Sequence, residues 1–179
     1  MKAIATVLMM CLGVLCLADN MLVNGDMKND KGWMIWGAAP KEPALRNQIL
    51  TYVNEGPQGE RVLKFSDELA EYNPYLVQHI PVSGVTAAQK YKLELKAKLP
   101  AGKKFYVTIQ MVGGKKFLGA SRGVSFAGTG DWKEYECIFT GLKPESTMLT
   151  IAVFPFWPNS NKADTASLLI RDAEFELED

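Results

Sequence analysis

His79 is the only histidine in the 179-residue chain, and that removes much of catalytic chemistry at once. A Ser-His relay would have to be built on this one side chain, and a zinc centre would need further His or Cys ligands that the chain lacks. Glycoside hydrolysis needs two carboxylates held at a fixed separation across a cleft. Glu94, Glu134, Glu136 and Glu174 instead alternate with apolar residues, as the wet side of strands does, and no spacing singles out a pair. No glycine-rich phosphate loop of a recognised form occurs. The expectation is a protein with no catalytic residues, not an enzyme.

Other residues have the chemistry of a binding surface. Tyr75, Val77 and His79 form one face of a short segment whose other face is Leu76, Gln78 and Ile80. Tyr106, Thr108 and Gln110 make a second polar-aromatic face, and Trp36 and Tyr72 fall in or beside expected loops. The run Phe154-Pro155-Phe156-Trp157-Pro158-Asn159 is too aromatic for an ordinary turn. Its prolines stiffen it, so a ring there can be presented at little entropic cost. Trp157 either meets a ligand or joins Phe156 in capping one end of the fold. Rings interleaved with amides and hydroxyls suit a sugar, whose C–H faces stack on aromatics while its hydroxyls need fixed partners. The candidate ligand contacts are Trp157, Tyr75, His79, Gln110, Trp36 and Tyr106.

The elements that must position these residues are strands. In residues 90–99, Tyr91, Leu93, Leu95, Ala97 and Leu99 alternate with Lys92, Glu94, Lys96 and Lys98, a period of two with one dry face. Phe105, Val107, Ile109 and Met111 repeat the pattern. Segments 49–53, 61–65, 74–80, 132–140, 147–154 and 167–176 complete the set, punctuated by Gly, Pro and Asn turns. The only helical hint is 66–71. Eight to ten strands without a long helix predict an all-β fold, an antiparallel β-sandwich of jelly-roll type. Tyr91, Phe105, Tyr135 and Phe139 are assigned to its core.

Lys2, the apolar run 4–17 and the small residues Cys16-Leu17-Ala18 predict a signal peptide over 1–18, leaving a single domain over 19–179. The run is too short for a membrane span of ~20 residues, so no membrane insertion is expected after its removal. The expected destination is secreted, periplasmic or extracellular. Cys11 and Cys16 would leave with the leader. Cys137 then remains alone on an apolar strand face, as a buried small hydrophobe. Twenty Lys and Arg balance twenty Asp and Glu, which argues against nucleic acid as a partner.

Four motifs in order carry a resemblance. Met21-Leu22-Val23-Asn24-Gly25 precedes Gly32-Trp33, and Leu76-Val77-Gln78-His79-Ile80 precedes the Tyr91 strand. Gly130-Asp131-Trp132-Lys133-Glu134-Tyr135 follows, and Leu168-Leu169-Ile170-Arg171-Asp172-Ala173-Glu174-Phe175 closes the chain. Together they resemble the jelly-roll carbohydrate-binding modules of families 4, 9 and 22, within the galactose-binding-like sandwiches. The resemblance implies an opening strand at Met21 and an interior place for Trp33 and Trp132. It also implies a non-catalytic function, recognition of a poly- or oligosaccharide by aromatic stacking and polar side chains. The alternative is a structural or protein-interaction sandwich with a partner in the cell envelope and no sugar site. Calcium-holding members place a carboxylate just after the Asn-Gly turn and another in a closing Asp-Asp pair. This chain has Lys28 at the first position and Arg171 in place of the first Asp. These cations oppose a hard metal ion and leave Asp26 and Asp172 to contribute. No cofactor is therefore expected, with a structural calcium on Asp26 and Asp172 as the lesser alternative.

Overall fold

The structure is a computed structural model that describes residues 20–38, 43–66, 73–155 and 167–178. The expected leader, most of the helical hint at 66–71, Tyr72, Phe156 and Trp157 lie outside the described residues. Eleven strands form among the described residues: β1 (Met34–Ala38), β2 (Leu50–Val53), β3 (Val62–Ser66), β4 (Asn73–Pro81), β5 (Lys90–Lys98), β6 (Lys104–Gly113), β7 (Lys116–Ala120), β8 (Val124–Ala127), β9 (Trp132–Phe139), β10 (Met148–Pro155) and β11 (Ser167–Glu178). One short helix, α1 (Pro43–Ile49), precedes β2.

The strands make two antiparallel sheets. Sheet A runs β1-β4-β10-β6-β7, with β8 also paired to β6, and sheet B runs β2-β3-β11-β5-β9. Alternation works as the sequence indicates. Tyr91, Leu93, Leu95 and Ala97 of β5 turn inward beside Tyr135, Cys137 and Phe139 of β9. From sheet A, Leu76, Phe105, Val107, Ile109, Leu149, Ile151 and Val153 face them, all fully buried. Each such large apolar side chain contributes about 1.5–3 kcal/mol by leaving water.

A bulge between Ile170 and Asp172 shifts the register of β11 on β5. The extra residue reverses which side of the strand faces in. Ile170 and Ala173 are both buried, and Arg171 and Asp172 stand side by side at the outer surface.

The expected opening strand at Met21 is not formed. Residues 22–26 are bend and turn, tied to the edge of β11 by Met21 N–H to Phe175 O and Ala173 N–H to Gly25 O, both 2.8 Å. Gly25 is required there, because a Cβ would fall 2.2 Å from Ala173 O. Asn20 joins the same edge, its amide donating to Ala173 O and its carbonyl accepting from Phe175 N–H. Trp33 is buried as expected. Trp132 is not. It is half-buried on the outward side of β9, in step with Glu134 and Glu136. Among the described residues, no helix is long and apolar enough to cross a membrane.

Candidate functional site

Pairing in sheet A assembles the outward face into three rows running across the strands. The first row is Trp36 on β1, Tyr75 on β4, Phe154 and Tyr106 on β10 and β6, and Ser125 on β8. The second is Met34, Val77, Ala152 and Thr108. The third is His79, Thr150, Gln110 and Ala120. Rings therefore line one side, amide and imidazole the other, and small side chains lie between. Val77, Ala152, Thr108 and Thr150 are buried although they face away from the core, whereas Trp36 is 41% exposed. The surface is a trough with a closed floor.

Its walls are fixed by contacts among themselves. Trp36 pairs with Tyr75, yet its ring centroid lies 4.7 Å from that of His79, four residues further along β4. The indole thus leans along the strand direction and meets the imidazole edge-on at 66°. Tyr75 stacks on Phe154 at 4.3 Å and 22°, and Phe154 meets Tyr106 edge-on at 6.0 Å. Such pairs are worth about 0.5–1.5 kcal/mol beyond their buried area, so the rings are held in place before any ligand arrives. On the far side of Tyr106 lies Gly123, where an added Cβ would fall 1.8 Å from the ring's Cζ.

The polar groups are oriented as well. His79 Nδ1 is hydrogen-bonded to the buried Thr150 hydroxyl at 2.8 Å. Burial pushes the His79 pKa below its ordinary value, which favours the neutral ring at pH 7. The Thr108 hydroxyl donates to Ser121 O at 2.9 Å, and Ser121 Oγ accepts from Ile109 N–H. Gln110 is half-buried beside them. In chemical terms the trough offers rings, an amide, an imidazole and hydroxyls, the set that suits an uncharged polyhydroxyl chain.

Five of the six sequence-assigned contacts, Trp36, Tyr75, His79, Tyr106 and Gln110, share this face. Trp157 lies outside the described residues. Trp36 is on a strand rather than in a loop. Sequence reasoning missed Thr150, which anchors His79, and Gly123, which borders Tyr106. The signal for Thr150 was a hydroxyl inside the otherwise apolar run of β10. For Gly123 there was none short of the fold.

The two carboxylates of the calcium alternative come close together, each beside a cation. Asp26 and Asp172 line one cavity of about 500 Å³ with Lys28, Glu60, Arg61 and Arg171. Asp26 Oδ2 is 2.6 Å from Lys28 Nζ, whose hydrogen bond holds the Asp26 carboxyl below the usual carboxylate range. Asp172 Oδ2 is 3.6 Å from Arg171 Nε and 3.7 Å from Lys96 Nζ. Among the described residues, no group of three or more His, Cys, Asp or Glu could hold a metal ion. The ammonium and guanidinium groups beside Asp26 and Asp172 oppose the binding of a hard cation such as calcium.

Cys137 is buried and its thiol is pushed up to about 12, first by desolvation and then by Glu136, so it has no nucleophilic form at neutral pH.

The family model CBM_4_9, a carbohydrate binding domain, matches residues 19–161. The chain belongs to this carbohydrate-binding domain family. No curated protein matches it in sequence. Its fold is similar to a domain of tailspike protein 4 from bacteriophage CBA120 (TM-score 0.63, 12% identity), covering 89% of this chain but only 21% of that one. It is also similar to TmCBM61, solved in complex with β-1,4-galactotriose (TM-score 0.55, 18% identity, 90% of this chain and 100% of that one). A third similar structure is the N-terminal cellulose-binding domain of Cellulomonas fimi β-1,4-glucanase C (TM-score 0.56, 18% identity, 87% and 93%). At these identities the structural likeness shows the fold alone.

Proposed function

We propose that this CBM_4_9 domain binds a poly- or oligosaccharide in the trough on sheet A and does not cleave it. The observation that carries this reading is the three-row register. It brings Trp36, Tyr75, Tyr106, His79 and Gln110 onto one face around a floor of small side chains. Trp36 and Tyr75 supply apolar rings for sugar C–H faces, and Gln110 and His79 supply hydrogen bonds to hydroxyls. Among the described residues, the three rows hold no acidic side chain and so supply no carboxylate pair of the kind glycoside hydrolysis uses. Of two similarly folded domains, one is solved with β-1,4-galactotriose and the other is a cellulose-binding domain, which makes soluble β-1,4-glycans the first probes. The leader-like sequence of residues 1–18 supports export, and the secreted or periplasmic space is the proposed location.

The test is intrinsic tryptophan fluorescence of the chain from residue 19, titrated with cello-, xylo- and galacto-oligosaccharides. Trp36→Ala is expected to lower affinity about tenfold, the equivalent of ~1.4 kcal/mol, with its melting temperature nearly unchanged. Saturable binding that survives both Trp36→Ala and Gln110→Ala would place the sugar elsewhere. No binding by well-folded protein across the panel would reject the reading.

A further inference from the structure

Trp132 lies on the opposite sheet from the trough. Tyr135, Cys137 and Phe139 of β9 point into the core, which leaves Trp132, Glu134, Glu136 and Ile138 on the outer face of sheet B. A half-buried indole on this otherwise charged face calls for a reason. It lines a hollow of about 160 Å³ with Lys96, Lys133, Glu134 and Arg171. Strand pairing adds Lys98, directly opposite Trp132, and Asp172, opposite Lys96. Three cationic side chains, Lys96, Lys98 and Arg171, thus stand on the Trp132 side of the sheet against two carboxylates, with Lys133 at the rim of the hollow.

These cations are not fully used within the protein. Among the described residues Lys98 forms no ion pair, and Lys133 Nζ lies over the Tyr135 ring at 5.5 Å. Arg171 is 3.5 Å from Glu60 and 3.6 Å from Asp172, longer than good charge-assisted hydrogen bonds of about 2.7–2.9 Å. Its Nε is buried without a hydrogen-bond acceptor. A planar donor group in loose pairs beside an indole is well placed to accept a carboxylate on a ring.

We propose that Trp132 and the cations around it form a second glycan site, selective for a saccharide that carries uronic acid carboxylates. The sugar ring stacks on Trp132. Its carboxylate meets Arg171, Lys96 and Lys98, and Glu134 accepts from a hydroxyl. The site shares no residue with the trough, so it stands or falls apart from the function proposed above.

Isothermal titration of the chain with oligogalacturonate, and with the same oligomer fully methyl-esterified, tests it. Binding of the acid form is expected to weaken as salt rises. It should fall at least tenfold in Trp132→Ala and in Lys98→Glu, with thermal melts establishing that both variants fold, and should be unchanged in Trp36→Ala. A neutral-glycan titration in parallel reads the trough alone. The proposal is overturned if the acid form does not bind or if the ester binds equally well. It is also overturned if folded Trp132→Ala and Lys98→Glu bind like the parent, or if the loss appears in Trp36→Ala instead.

Discussion

His79 illustrates how much one side chain's surroundings decide. Burial lowers its pKa below the ordinary 6.5, while the unfolded chain keeps that ordinary value. As pH falls through about 6.5 the unfolded form takes up its proton first, so stability declines from there until the native pKa is passed. Above about 6.5 the two forms carry the same neutral ring and no such term exists. The lowered carboxylates Asp26 and Glu60 act only at more acidic pH, because their ordinary values are 3.8 and 4.5. Thermal melts between pH 8 and 5.5 should therefore show a falling Tm that is flattened in His79→Gln. Equal slopes in both proteins would assign the decline to another group. The alternation of Tyr75, Val77 and His79 against Leu76, Gln78 and Ile80 was legible in the sequence, because period two needs no knowledge of neighbouring strands. The bond from Thr150 was not legible, since it joins residues 71 positions apart.

Among the elements, the split edge of sheet A has the clearest effect on the site. β7 and β8 pair with successive parts of β6, and residues 121–123 bridge them. Ser121 keeps that bridge in the sheet through Ser121 N–H to Ile109 O at 2.8 Å, while Gly123 passes close against the Tyr106 ring. Gly123→Ala forces the Tyr106 ring to shift, because the added Cβ would fall 1.8 Å from its Cζ. The expected result is glycan affinity about fivefold lower, ~1 kcal/mol, with little change in Tm. A titration and a melt on the same sample separate this from general destabilisation. β7, β8 and β1 had gone unassigned from sequence. Their strands are four or five residues long, and their partly exposed faces blur the alternation that marks β5 and β6. Helix α1 was missed for a related reason: seven residues show barely two turns of periodicity.

For the whole molecule, sandwich architecture was readable because the long central strands carry strong patterns, but the burial of Trp132 was misassigned. A Trp before an alternating run resembles core, although its step with Glu134 and Glu136, against Tyr135, Cys137 and Phe139, is enough to put it with the charged residues. The cavity lined by Asp26 and Asp172 yields a prediction at this scale. Its carboxylates already face Lys28, Arg61 and Arg171, so chelation or millimolar calcium is expected to leave Tm unchanged. A rise of several degrees on adding calcium would show that the ion displaces these cations.

The order of strands in sheet B has a bearing on how the chain is made. β11, the last of the eleven to be synthesised, lies between β3 and β5. Until it arrives, the pair β2–β3 and the pair β5–β9 have no hydrogen bonds to each other, so sheet B stays in two pieces. All six strands of sheet A, the last of them β10, precede β11 in the chain, so that sheet has every strand it needs while sheet B remains split. Closure waits for twelve residues, Ser167–Glu178, to slot into the middle. Joining the two pieces is long-range pairing, which must bear its loop-closure entropy before its contacts can repay it.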